Sequence, residues 1–266
     1  SGFGLAAVSE EAGGAGATWA DLYGVVHATG RLFGLSMPQL DPAAAAVEMI
    51  HAYSLIHDDL PAMDDDALRR GKPTVHIAFD EATAILAGDA LQALAYETLV
   101  CAEWPDAAKL AALQELISAS GSRGMCGGQQ LDMDAGGKTL TLADLQNVHA
   151  LKTGALIKAA IRLPAIVADA DSDARAALDA FADDLGLAFQ IQDDILDVEA
   201  STEQLGKSVG KDATQAKATY PALLGLDGAK ALLAELAERM PQHLSGFGER
   251  AEALSALAAF AVARRN

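Results

Sequence analysis

The chain has 266 residues, of which 51% are apolar, enough for one large domain or two small ones with a sizeable core. Alanine and leucine dominate and β-branched and aromatic residues are few, which favours helix over strand. The formal net charge of −18 argues against nucleic acid and anionic membrane surfaces as partners.

Residues 1–17 are rich in Gly, Ala and Ser and carry little pattern, and Gly13-Gly14-Ala15-Gly16 reads as a flexible link. Short helical pieces follow up to residue 40, broken at Gly24, Gly30 and Gly34. Asp41-Pro42 predicts a helix start, an N-cap followed by Pro at the first helical position. That helix runs into Asp58, and Pro61 ends or distorts it. Gly71-Lys72-Pro73-Thr74 is a turn. A long helix, apolar on most faces, is predicted over 81–100, another from Pro105-Asp106 through Ile117, and another over 124–133. Thr141-Leu142-Ala143-Asp144 opens a helix, or a pair, running through Lys152 toward Leu163, with a kink at Pro164. Separate helices over 173–181 and 185–199 come next, then a polar loop of roughly 20 residues. Tyr220-Pro221 begins a short helix and two more fill the C-terminal region. No alternating strand pattern of useful length and no repeat is visible, so the expected fold is all-α, one domain of roughly ten helices.

Two cysteines, Cys101 and Cys126, are too few for a disulfide framework and suggest a reducing compartment. No run of about 18 uncharged apolar residues predicts a membrane span, and no basic-then-apolar head predicts a signal peptide. A cytoplasmic enzyme is the expectation.

Two acidic clusters carry the chemistry. Asp58, Asp59, Asp64, Asp65 and Asp66 place five carboxylates within nine residues, with Arg69 and Arg70 just beyond. Crowded carboxylates raise one another's pKa unless a cation intervenes. They are hard oxygen donors, and Mg²⁺ with bound phosphates suits them. An EF-hand is excluded, because the sharp-turn Gly and the closing Glu are both missing. Asp58 and Asp64 stand about 240° apart on an ideal helix, so the cluster is either a solvated acidic loop after a helix or one in which a distortion at Pro61 brings Asp64 back beside Asp58. In the second cluster Gln190, Asp193, Asp194 and Asp197 follow i, i+3, i+4, i+7 spacing, one face of a helix that is otherwise apolar. That stripe has no Lys or Arg at i+4, unlike an ordinary solvated face.

Together these clusters resemble the two aspartate-rich motifs of the trans-isoprenyl diphosphate synthases. Asp58-Asp59-x-x-x-x-Asp64 is similar to the first motif in its longer form, typical of bacterial farnesyl diphosphate synthases. Asp193-Asp194-Ile195-Leu196-Asp197 is similar to the second. The segments His51–His57, Leu68–Thr74, Ile85–Asp89, Gly127-Gly128-Gln129, Lys152-Thr153-Gly154 and Lys217–Pro221 stand in the family's order, and the likeness runs from about residue 25 onward.

The resemblance implies a helical isoprenoid synthase fold. It implies Mg²⁺-dependent condensation of an allylic diphosphate with isopentenyl diphosphate, and usually a homodimer. Three Mg²⁺ ions would be held by Asp58 and Asp64, with Asp59 in support, and by Asp193, with Asp194 and Asp197. Arg69, Lys152 and Lys207 or Lys217 would meet the allylic diphosphate, and Arg70 and His51 the isopentenyl diphosphate. Thr153 and Gln190 would lie along the allyl group. Tyr53 would floor the cavity and stop growth at C15, making farnesyl diphosphate the expected product. A geranyl or geranylgeranyl diphosphate synthase, a terpene cyclase, a non-catalytic synthase subunit and a divalent-cation buffer are the alternatives. One departure stands out. The family's Gly-Lys-Arg segment, which grips isopentenyl diphosphate, is absent: Tyr23-Gly24 runs straight into Val25, and no Lys or Arg precedes Arg31. We read this as residues missing from the sequence near 23–25.

Overall fold

A computed structural model describes residues 19–203 and 218–264. Lys207 and Lys217 lie outside the described residues. Among those described, ten α-helices reach eight residues or more, and the only sheet pairs two strands of two residues each. The all-α expectation holds.

Helix α1 (Trp19–Leu32) passes without a break through Gly24 and Gly30. The glycines serve packing, not termination. A Cβ on Gly30 would fall 2.0 Å from the Leu40 side chain. The chain turns instead at Gly34, whose φ of 73° suits glycine. Helix α2 (Met37–Asp58) begins upstream of Asp41-Pro42. The Ser36 N–H donates to Gln39 Oε1 at 2.9 Å, and the Gln39 N–H donates to the Ser36 carbonyl at 3.1 Å. With Pro38 in the first turn, where its missing donor is harmless, the helix is already running when Pro42 arrives.

After α2 comes a hairpin, β1 (Leu68–Arg69) and β2 (Lys72–Pro73), closed at Arg70 (φ 53°) and Gly71 (φ 73°). Two successive left-handed residues make the tight hairpin turn. Short α3 (Val75–Ala78) leads to α4 (Glu81–Val100), capped by the Asp80 carboxylate, which accepts from the Thr83 N–H at 2.6 Å. Helices α5 (Asp106–Ser120) and α6 (Met125–Ala135) follow as read from the sequence. Thr141 and Asp144 cap one another at the start of α7 (Leu142–His149). A π-helical turn over Ala150–Gly154 joins it to α8 (Ala155–Val167), which carries Pro164 inside it.

The two helices expected over 173–199 are one, α9 (Ser172–Glu203). Phe181, Leu185, Ala188, Ile191 and Ile195 form a continuous buried stripe, and no residue between them interrupts the helical hydrogen bonds. Helices α10 (Tyr220–Leu224), α11 (Leu226–His243) and α12 (Glu252–Ala263) complete the bundle, with a 3₁₀ stretch, Ser245–Ala251, before the last. Ion pairs tie its layers. Arg162 of α8 donates to Asp179 of α9 at 2.6 and 2.8 Å and to Glu115 of α5 at 3.1 Å. Arg239 of α11 holds Asp184 of α9 at 2.6 and 2.7 Å. No described helix is long and apolar enough to cross a membrane.

Candidate active site

Side chains from α1, α2, α6, α8, α9 and α12 surround a cavity of about 580 Å³. Its wall includes His51, Tyr53, Asp58, Gln129, Lys152 and Thr153, so six residues from four sequence segments meet in one space.

The first acidic cluster reaches the cavity because α2 stops at Asp58. The loop then folds back, and the Asp64 N–H donates to the Asp58 carbonyl at 2.9 Å. The loop thus returns the Asp64 backbone to the end of α2. The helix ends three residues before Pro61, and Asp65 takes a left-handed conformation at φ 51°, which Asp tolerates. The hairpin swings Arg69 back over Asp59. Arg69 Nε lies 3.0 Å from both Asp59 oxygens and a terminal nitrogen 2.7 Å from Oδ1. Asp59 is only 3% exposed, so Arg69 neutralises a buried charge.

Asp58 faces the lumen. Burial pushes its carboxyl up to about 6; Asp64 and Asp59 add to the rise, while Lys152 and Arg69 oppose it. A carboxylate in that state gains from a cation, which fits a divalent metal at this wall. His51 is pushed down to about 4 by burial, helped by Arg70 and Arg69. It is a neutral imidazole at pH 7.

Lys152 and Thr153 sit on the π-helical turn. Such one-turn insertions re-aim side chains and recur at functional sites. Here the turn is clamped between glycines. A Cβ on Gly128 of α6 would lie 2.2 Å from the Lys152 backbone nitrogen, and one on Gly186 of α9 3.1 Å from the Gly154 Cα. Three backbones therefore meet with no side chain between them. Lys152 Nζ donates to Asp132 of α6 at 2.6 Å. The Thr153 hydroxyl donates to Gln190 Oε1 at 3.4 Å, and Gln190 Nε2 donates to Asp194 at 3.0 Å.

The second cluster divides by environment. Asp194 is buried and also accepts the Tyr220 N–H at 2.9 Å, tying α9 to α10. Asp193 pairs with the Arg264 guanidinium, which stands 4.1 Å over the Phe189 ring. Burial raises the Asp193 pKa, against the lowering effect of Arg264. Asp197 is exposed. Among the described residues no three acidic, His or Cys side chains are gathered as a metal cage.

Sequence reasoning missed Asp132, Arg264 and Cys126. Asp132 and Cys126 flank the quoted Gly127-Gly128-Gln129 segment on one helix, so α6 as a whole carried the signal. Arg264 stands 71 positions from Asp193 and no local pattern links them.

The chain is similar to known proteins along most of its length. It is 54% identical over 241 residues to the farnesyl diphosphate synthase of Escherichia coli, covering 89% of this chain and 81% of that protein. It is 47% identical to the farnesyl diphosphate synthase of Geobacillus stearothermophilus, over 84% and 76% of the two chains. The crystal structure of an FPP/GFPP synthase from Zymomonas mobilis superposes with a TM-score of 0.83 at 41% identity, over 93% of this chain and 84% of that one. Residues 24–254 match the polyprenyl synthetase family, and the chain belongs to that family.

Proposed function

We propose that the chain is a farnesyl diphosphate synthase: it joins an allylic diphosphate to isopentenyl diphosphate and releases pyrophosphate. The observation that carries this is a mostly apolar cavity with Asp58 and Lys152 on its wall, in a chain about half identical to farnesyl diphosphate synthases. An apolar tail fits the lumen, and a charged head fits the polar wall.

Asp58, Asp64 and Asp193 would hold Mg²⁺, with Asp59, Asp194 and Asp197 in support and substrate oxygens completing the shells, as is usual for this ion. Three ions are expected with substrate bound. When bound, Mg²⁺ supplies the positive charge that neutralises a departing pyrophosphate. The protein's own groups do the rest. Arg69, locked onto Asp59, keeps the loop that carries Asp64 in place. Lys152 presents a cation at the head of the cavity. Thr153 and Gln190 offer oriented dipoles along the tail, where positive charge develops on carbon. Lys207 and Lys217 would add charge to the allylic diphosphate site. Arg70, whose charge is disfavoured by burial and by Arg69 and favoured by Glu48, and neutral His51 would face isopentenyl diphosphate. Tyr53, 3% exposed and five residues before Asp58, lies roughly 7.5 Å deeper along α2 and would floor the tail channel at C15.

We further propose a homodimer through α4 and α5. Their outer faces leave Leu86 66%, Leu94 47%, Leu110 59% and Ile117 51% exposed, an apolar surface that a second copy would cover. Light scattering at twice the chain mass is the expected result. A cytoplasmic location accords with this chemistry.

A second reading has one observation in its favour. On the α1 side the cavity wall is Leu22 and Val25, not the cations implied for isopentenyl diphosphate. A cyclase would need none. The discriminating experiment is pyrophosphate release with Mg²⁺ and geranyl diphosphate, with and without isopentenyl diphosphate. Release that requires both supports condensation; release from geranyl diphosphate alone supports cyclisation. Peptide mapping of the native protein across residues 19–31 tests whether residues are missing near 23–25. Extra residues between Gly24 and Val25 are the expected result, and a peptide joining Gly24 directly to Val25 overturns that reading.

A further inference from the structure

One polar contact spans the cavity between α2 and α6. The Tyr53 hydroxyl and the Cys126 thiol lie 3.4 Å apart, and both side chains line the lumen. The Tyr53 ring is fixed on its other side by His57, which meets it edge to face at a centroid distance of 5.8 Å. His57 is itself pinned. Its Nε2 lies 3.0 Å from the Ile85 carbonyl, and a Cβ on Gly88 would fall 2.0 Å from that nitrogen. The ring therefore has a rigid backstop toward α4, while its hydroxyl end is restrained by Cys126.

A buried phenol keeps its hydroxyl paired, because an unpaired one is costly. Here the contact is with a thiol, a weak donor and acceptor. A thiol is also compact, so it fills the gap beside the ring without closing the lumen. We propose that Cys126 is a specificity-determining residue: it holds the Tyr53 ring across the cavity, so that the phenol–thiol pair, and not the ring alone, stops the growing chain. This rests on the reading of Tyr53 as the floor of a prenyl channel. Without Cys126 the ring keeps its His57 backstop but loses the contact that fixes its hydroxyl. It then turns aside for a longer tail.

The test is the chain-length distribution of products at matched turnover, a ratio that a general loss of activity does not move. Cys126→Ala is expected to raise products longer than C15 by about tenfold, within the range of hydrocarbon-pocket discrimination. Cys126→Ser, which restores a hydroxyl partner, is expected to keep C15. Cys126→Val, of similar size without the contact, is expected to behave like Ala and serves if the Ala variant folds poorly. In a Tyr53→Ala background Cys126→Ala should add little, because the two act as one unit. Unchanged C15 from Cys126→Ala and Cys126→Val, with longer products from Tyr53→Ala, overturns the proposal and leaves the channel reading standing. Unchanged C15 from Tyr53→Ala as well overturns the channel reading itself.

Discussion

Gly128→Ala isolates the helix crossing that places Lys152. A methyl there meets backbone only: the Lys152 nitrogen at 2.2 Å, the Lys152 Cα at 2.6 Å and the Leu151 carbonyl carbon at 2.7 Å. Ordinary contact starts near 3.4 Å, so α6 and the π-helical turn must part by about 1.2 Å. No rotamer change relieves this. Overpacking of this kind costs about 1–3 kcal/mol, which for a chain of this size lowers Tm by roughly 3–9 °C. The larger consequence is positional. A shift of about 1 Å in a substrate-positioning group costs on the order of 10²-fold in rate, and Lys152 with its Asp132 partner sits on the displaced elements. Initial rates with geranyl and isopentenyl diphosphates and a thermal melt measure both effects. Gly246→Ala, where nothing lies within 4 Å of the added carbon, is the neutral control. A Gly128→Ala enzyme with kcat within about twofold of wild type and an unchanged Tm would refute direct backbone packing at this crossing.

Other substitutions separate function from stability. Asp58→Asn removes a carboxylate that burial holds near pKa 6. At pH 8 without metal the variant should be more stable, by on the order of 2–3 kcal/mol, while turnover with Mg²⁺ falls about 10²–10³-fold; a lower Tm in EDTA contradicts the assigned burial. Arg69→Ala strands the buried Asp59 charge and should cost about 2–3 kcal/mol, below the range for fully buried pairs because the Arg69 side chain is 35% exposed. A double variant with Asp59→Asn should recover much of that loss, and a failure to recover argues against the pair. Burial pushes His149 down to about 4, Asp132 working against the shift and Lys152 with it. Between pH 6.5 and 4 the unfolded chain takes up a proton that the folded chain refuses. Stability should therefore fall as pH drops through that window, by up to about 3 kcal/mol from this residue, and no further below it. Denaturant midpoints of wild type and His149→Phe across the window check this, and parallel curves would contradict it.

Much of the fold is legible in the sequence where a breaker or cap stands beside a clear apolar pattern, as at Thr141 before α7. It is misread where glycine or proline serves packing. Gly24 and Gly30 look like breaks, yet they let α1 approach its neighbours. Asp41-Pro42 looks like a start, although Ser36 and Gln39 have already capped the helix. The aspartates show themselves by spacing alone, but helix geometry by itself turns Asp64 away from Asp58, and it is the loop after α2 that returns it. Their division of labour does not. Only the structure shows Asp59 spent on Arg69 and Asp194 on Gln190 and the Tyr220 N–H, while Asp58 faces the lumen. Arg264 acts through a contact 71 positions distant in sequence, which no local pattern encodes.

The product of the wild-type chain decides between condensation and cyclisation. Wild-type protein incubated with geranyl diphosphate, isopentenyl diphosphate and Mg²⁺ should yield farnesyl diphosphate as the main product by mass spectrometry. A hydrocarbon formed from geranyl diphosphate alone, or no turnover by the intact native chain, would contradict it.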